Sequence, residues 1–176
     1  MVFSIGNKVV YPCQGPCLID RITNRVVNDR PRSFYHLVVL DGSGGELFVP
    51  VDKVQAIGIR PLLKRSDIPK LLDLLTKTTR IASDWRQRAN DNLKLFISGS
   101  PFDLARIIES LTELRETKEL TLRDQSTLER ARKLLVCEIS EVMGETKIAA
   151  EERVDRALGA RKTSMLGSLP VASHLT

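Results

Sequence analysis

Residues 46–75 read Glu-Leu-Phe-Val-Pro-Val-Asp-Lys-Val-Gln-Ala-Ile-Gly-Ile-Arg-Pro-Leu-Leu-Lys-Arg-Ser-Asp-Ile-Pro-Lys-Leu-Leu-Asp-Leu-Leu, and within them the hydrophobic period changes. Glu46-Leu-Phe-Val-Pro-Val51 has the length and composition of a strand. Pro50 has no N–H to donate, so this strand lies at a sheet edge or ends there. From Ser66-Asp-Ile-Pro69 onward the apolar residues Ile68, Leu71, Leu72 and Leu75 recur at helical spacing. The boundary falls near Arg60-Pro61.

Upstream of that boundary the chain reads as strands and tight turns. Lys8-Val-Val-Tyr11 stops at Pro12, and Gly15-Pro16 makes a turn. Cys17 to Arg25 alternates broadly, with β-branched residues. Asn28-Asp-Arg-Pro31 is rich in turn formers. Ser33-Phe-Tyr-His-Leu-Val-Val-Leu40 is the strongest strand, and Asp41-Gly-Ser-Gly-Gly45 is the hairpin loop that returns it to Glu46. Short strands joined this way predict a small antiparallel barrel or curled sheet.

Downstream, helices follow one another. After the helix at Ile68, a second spans about Asp84 to Ser98, with Ser83 in the N-cap role, and ends before Gly99. Ser100-Pro101-Phe-Asp103 is a strong helix start, with the stripe Leu104, Ile107, Ile108 and Leu111 behind it. Thr121-Leu-Arg-Asp124 opens the next helix, whose inner face is Leu128, Ala131, Leu134, Leu135 and Ile139, and Gly144 terminates it. A last helix covers about Thr146 to Leu158. The expected class is α+β: a β domain over 1–61, a domain of four to five helices over 62–160, and a disordered tail over 161–176, small and aperiodic from 163 on.

The chain has 176 residues with a net charge of +5 and a hydrophobic fraction of 42%, ordinary for a folded protein. No stretch is apolar for long enough to span a membrane, and Met1-Val-Phe-Ser-Ile-Gly6 lacks the regions of a signal peptide, so an intracellular protein is expected. Residues 61–100 hold eight Lys/Arg against four Asp/Glu, the densest positive excess in the chain. Such an excess suits a polyanion through counterion release, or a plain solvated surface. The three cysteines Cys13, Cys17 and Cys137 form neither a disulfide framework nor a zinc pattern, which points to structural thiols and no metal. His36 lies in a strand, far from His174, and neither has a nucleophile or carboxylate at a catalytic spacing. The Glu109 to Glu119 stretch, interspersed with Arg115 and Lys118, reads as a solvated helix face. With no catalytic constellation, no phosphate loop and no cofactor motif, the pattern points to a binding protein, not an enzyme.

Trp85 is the single tryptophan, in Arg80-Ile-Ala-Ser-Asp-Trp-Arg-Gln-Arg88. Two uses compete. As one more bulky apolar group in a helical domain it supplies core area. As a flat side chain in a helix's first turn, flanked by guanidinium groups, it suits insertion against stacked bases beside a phosphate backbone. Local sequence alone favours the core.

Across about residues 1–158 the chain resembles the CarD/CdnL family of bacterial RNA polymerase-binding transcription regulators. The resemblance rests on Phe3-Ser-Ile-Gly-Asn-Lys-Val-Val-Tyr-Pro12, Gly15, Tyr35, Val49-Pro-Val-Asp-Lys-Val54 and Gly58-Ile-Arg60, then on Trp85-Arg-Gln-Arg88, Leu93-Lys94, Ser98-Gly99 and Leu128-Glu-Arg-Ala-Arg-Lys-Leu-Leu135. It implies a Tudor-like N-terminal domain docking on the lobe of the polymerase β subunit, consistent with an edge strand extending a partner's sheet. The matching polymerase-facing positions are Arg25, Phe34, Phe48, Val49 and Pro50. Arg25 would pair with an acidic residue of the partner. Phe48 replaces a basic residue of some relatives, and Phe34 and Phe48 serve equally as barrel core. The helical domain would contact promoter DNA in the minor groove, largely independent of sequence. There Trp85 would wedge at the upstream edge of the transcription bubble, with Arg86, Arg88, Lys94 and Arg123 as backbone contacts. Asn90 and Gln125 stand where relatives often carry lysine or arginine. The resemblance thus implies a monomeric, cytoplasmic, non-enzymatic regulator that stabilises the open complex and tips Trp85 toward the surface. The N-terminal domain also resembles the polymerase-interacting domain of transcription-repair coupling factors. The alternative is therefore a polymerase-binding adaptor whose helical domain binds protein.

Overall fold

The computed structural model describes residues 2–77 and 84–166, the last six by backbone alone. Five strands, β1 (Lys8–Tyr11), β2 (Gly15–Val27), β3 (Arg30–Val39), β4 (Glu46–Pro50) and β5 (Arg60–Pro61), form one antiparallel sheet in the order β4-β3-β2-β1-β5. β4 is one edge strand of the sheet, β5 the other, and β4 ends at Pro50, where a missing donor is tolerated. The β2–β3 turn is tighter than the Asn28–Pro31 stretch suggests. Asn28 and Asp29 both take positive φ (52° and 57°), the requirement of a two-residue primed turn, so Arg30 and Pro31 already belong to β3. β5 is too short to have a pattern of its own. It follows the one-turn helix α1 (Val54–Ile57), which ends on Gly58 at φ 85°.

Directly paired residues share a face of the sheet, and the register sorts them. Tyr35 opposite Val49, and Leu37 opposite Leu47, point inward with Val9, Cys17 and Ile19 to make the β-domain core. Phe34 opposite Pro50, and His36 opposite Phe48, therefore point outward. An irregularity between Ile19 and Arg21 shifts the β2 register, which brings Arg21, Thr23 and Arg25 onto that same outer face.

The helical domain contains α2 (Ile68–Leu75), α3 (Trp85–Ile97), α4 (Pro101–Thr117), α5 (Leu122–Met143) and α6 (Lys147–Leu166). The expected stripes are its core: Leu71, Leu75, Ile107, Ile108, Leu111, Ala131, Leu135 and Ile139 are buried together. Leu134, half-buried, turns toward the β domain, where a Cβ on Gly15 would lie 3.0 Å from its Cδ2. Gly144 ends α5 in the left-handed conformation, φ 67°. Among the described residues no helix is long and apolar enough to cross a membrane.

Several local expectations change. Ser83 lies outside the described residues, and Asp84 caps α3: its carboxylate accepts from the Arg86 backbone N–H at 2.9 Å. Ser100 holds the N-cap position of α4 but makes no capping bond. Instead Ser98 Oγ, 2.7 Å from Asp103, ties down the turn. Glu109 is buried, as is Thr112, so only the later part of that stretch, Arg115 to Glu119, is a solvated face. Helix α6 continues through the good helix formers Ala160, Arg161 and Lys162 to Leu166, overlapping the first residues of the expected tail. Residues 167–176, with His174, lie outside the described ones.

Candidate functional site

Two surfaces collect the residues singled out by the sequence. The first is the outer face of β2, β3 and β4. Phe48 is 40% exposed, on the edge strand, and the Arg25 guanidinium carbon lies 4.4 Å from its ring centroid. Beneath them His36 is buried, its ring centroid 4.8 Å from that of Phe48. Its two ring nitrogens lie 3.1 Å from carboxylate oxygens of Asp20 and Glu46, which pins the aromatic pair to the sheet. Phe34, half-buried beside Thr23 and Pro50, extends the apolar patch. Neither phenylalanine is part of the β-domain core. Val49 is. Only 2% exposed, it points inward against Tyr35, so its side chain is unavailable to a partner and only its backbone borders the edge. Arg32, the register partner of Arg25, is occupied by Asp52 through bonds of 3.2 and 2.7 Å, and this partner holds the Asp52 carboxyl below its ordinary range.

The second surface is where α3 and α5 begin. Arg88 of α3 meets Asp124 of α5, and Arg130 of α5 lies over Phe96 of α3, so the two helices run in parallel and start at the same end of the domain. At about 100° per residue, Trp85 lies on the stripe of Arg88, Asn92 and Phe96, all three buried. Trp85 itself is 54% exposed, because it precedes the first turn that meets α5. The Arg86 guanidinium lies 5.3 Å from the indole centroid, and exposed Arg123 stands on the first turn of α5 beside exposed Leu122. A groove of about 250 Å³ opens between the two helices, with Leu93 and Ala89 on one wall and Arg123, Thr127 and Arg130 on the other.

The structure separates two expected backbone contacts from this cluster. Arg88 is 4% exposed, and its Nη2 donates to Asp124 Oδ2 at 2.9 Å. It clamps α3 to α5 and does not present its charge to a ligand. Lys94 is exposed but lies nine residues beyond Trp85. That places it about 13 Å along the axis and about 180° around it, on the opposite side of α3. Asn90 and Gln125 are exposed and neutral. Leu93, Leu122 and Arg130 join this surface without a local signal that assigns them to it. Exposed leucines look like core in a sequence, and Arg130 looks like any charge on a helix. Among the described residues no group of three His, Cys, Asp or Glu side chains is arranged to hold a metal ion. The three cysteines are free thiols.

Two family models match successive parts of the chain. The family model of the CarD-like/TRCF RID domain matches residues 3–63, and that of the CarD C-terminal domain matches residues 70–155. The putative transcription factor YdeB of Bacillus subtilis (strain 168) is 24% identical over 150 residues, covering 83% of this chain and 95% of its own length.

Proposed function

The chain belongs to the CarD family, and we propose that it is a non-enzymatic transcription regulator bridging RNA polymerase and promoter DNA in the bacterial cytoplasm. The β domain docks on the polymerase β subunit with Phe48, Arg25, Phe34 and the β4 edge. Strand β4 offers backbone groups for sheet extension, while Phe48 and Arg25 supply an apolar anchor and a charge. The helical domain meets the upstream edge of the transcription bubble with Trp85, Arg86 and Arg123.

The observation that carries this proposal is the exposed Trp85 at the common starting end of two parallel helices, with the Arg86 guanidinium over its ring and exposed Arg123 on the first turn of the neighbouring helix. An indole wedge costs a few kcal/mol of lost stacking per base step in intact duplex. At the splayed edge of a bubble that stacking is already lost. The wedge therefore binds the open complex better than the closed one, and only such a difference shifts an equilibrium. A difference of about 1.4 kcal/mol shifts it tenfold. No bond is made or broken.

The test is open-complex lifetime with cognate polymerase. The wild type lengthens it, Trp85→Ala loses about tenfold of that gain, and Phe48→Ser loses the gain through weaker docking. If the wild type changes neither lifetime nor level of initiation, the bridging mechanism is wrong. Exposed Leu93 and Leu122 favour the adaptor alternative, in which the helical domain grips a protein. In that case Trp85 stays off the DNA.

A further inference from the structure

Three of the sequence motifs have no part in either surface: Gly58-Ile-Arg60, Ser98-Gly99 and the helix around Leu134. They meet one another between the two domains. Arg60 is held by the sheet, opposite Val10 in the β1–β5 pair. Its guanidinium donates through Nε and Nη2 to the Gly99 carbonyl at 2.9 and 2.7 Å. Through Nη1 and Nη2 it grips both carboxylate oxygens of Glu138 at 2.7 and 2.8 Å. Glu138 is 2% exposed and also accepts the Leu63 N–H at 2.9 Å. One planar fork thus ties the last strand of the sheet, the α3–α4 turn and α5 together, with the bidentate geometry that makes Arg–carboxylate pairs directional.

The surroundings reinforce this joint. Gly99 takes φ 67° and sits close to Pro12, whose ring a Cβ there would meet at 3.4 Å, so the turn that offers the carbonyl to Arg60 lies against the β domain. Along α5, Leu134, Glu138 and Glu141 fall at i, i+4 and i+7 on one face. They receive Gly15, Arg60 and Lys8 of the β domain, with Lys8 Nζ 2.6 Å from Glu141. Lys133 pairs with Asp41 at 2.7 Å beside them. From Glu138 back to Asp124, α5 is one uninterrupted rod of about 21 Å. At its far end Asp124 holds Arg88, one turn from Trp85. Domains joined by a small polar contact alone ordinarily reorient; here the fork is directional on both sides and sits beside apolar packing of Leu134 on Gly15 and of Cys13 on the helical core.

We propose that Arg60 is the positioning residue that sets the span and angle between the β4 edge and Trp85, making the chain a rigid gauge and not two tethered binders. This rests on the bridging function proposed above. A rigid gauge presents the wedge at one place once the β domain has docked. A free joint dilutes it over many orientations and lowers its effective concentration at the bubble edge.

Arg60→Met with Glu138→Gln, in the full chain, removes the fork without stranding a buried charge and leaves the exposed Lys8–Glu141 and Lys133–Asp41 pairs and the apolar contacts across the joint. Amide residual dipolar couplings report whether each domain keeps its fold and whether the two share one alignment tensor. The wild type is expected to fit one tensor and the double variant two, with each domain's own couplings unchanged. Affinity for the polymerase β subunit stays within about twofold, while the gain in open-complex lifetime falls about tenfold. Should the double variant lose the fold of either domain, Arg60→Lys, which keeps the charge and loses the fork, carries the same test. Two tensors in the wild type overturn the proposal, as does any variant whose lifetime gain and shared tensor are not lost together. A wild type that binds polymerase and leaves lifetime unchanged overturns the bridging function and the gauge with it. A lengthened lifetime that survives in the two-tensor variant overturns the gauge alone.

Discussion

Replacing Arg88 with alanine separates a clamp from a phosphate contact. Arg88 and Asp124 are 4% and 6% exposed, and their charged groups are 2.9 Å apart. Removing one partner of a buried pair costs about 3–5 kcal/mol, because the other is left as an uncompensated buried charge. Asp124 keeps one donor, the Thr121 hydroxyl at 2.9 Å, which places the expected loss near the lower end, about 3 kcal/mol. For a chain of this size that corresponds to a melting temperature lower by about 6–12 °C. Arg86→Ala, two residues earlier on an exposed position, should stay within about 0.5 kcal/mol. Urea unfolding followed by far-ultraviolet circular dichroism gives both values side by side. A loss below about 1 kcal/mol for Arg88→Ala, indistinguishable from Arg86→Ala, would refute the clamp and return Arg88 to the surface cations.

Other outcomes follow from the same geometry. The Lys133 ammonium and the Ser43 bonds hold the Asp41 carboxyl well below the ordinary carboxylate range. A depressed folded value means stabilisation that is present above the unfolded value, about 4, and lost as pH falls through the lower folded one. Asp41→Asn should therefore be less stable than wild type at pH 7, by about 0.5–1 kcal/mol. The two should converge on acidification in denaturation series from pH 7 to pH 2, and a gap that widens toward low pH contradicts this. Burial pushes the Cys17 thiol up to about 11, so the stability it contributes is full below the unfolded value and lost as pH rises through the folded one. At pH 8 iodoacetamide should modify Cys13, half-buried, well before Cys17 or Cys137, as read by peptide mass spectrometry. Equal rates at all three would show that the thiols are not held in the core. Phe48→Ala should weaken binding to the polymerase β subunit about tenfold or more, whereas Lys94→Ala, on the far side of α3, should leave open-complex lifetime unchanged.

The strands and helices were legible because their signals are local. Alternation in β3, proline at the start of α4 and glycine at the end of α5 each act within a few residues. The β5 strand was not legible, since two residues carry no period and β5 exists only through its pairing with β1. Arg60 and Glu138 are 78 residues apart, so their contact left no mark on the local pattern. Lys94 and Arg88 are different. Helical spacing alone puts Lys94 opposite Trp85 and puts Arg88 on the stripe of Phe96, against the backbone-contact roles that the resemblance implies for both. For Trp85 the same spacing misleads: it indicates burial, and only the end of the α3–α5 contact leaves the indole in solvent. The outward direction of Phe48 required the register of β3 with β4, which alternation within one strand does not supply.

The most direct measurement places a benzophenone amino acid at position 85 and irradiates the assembled open complex. The account predicts crosslinks to promoter DNA at the upstream edge of the bubble, lost when Phe48→Ser weakens docking. Crosslinks confined to protein, with none to DNA in a complex that is demonstrably open, would contradict it.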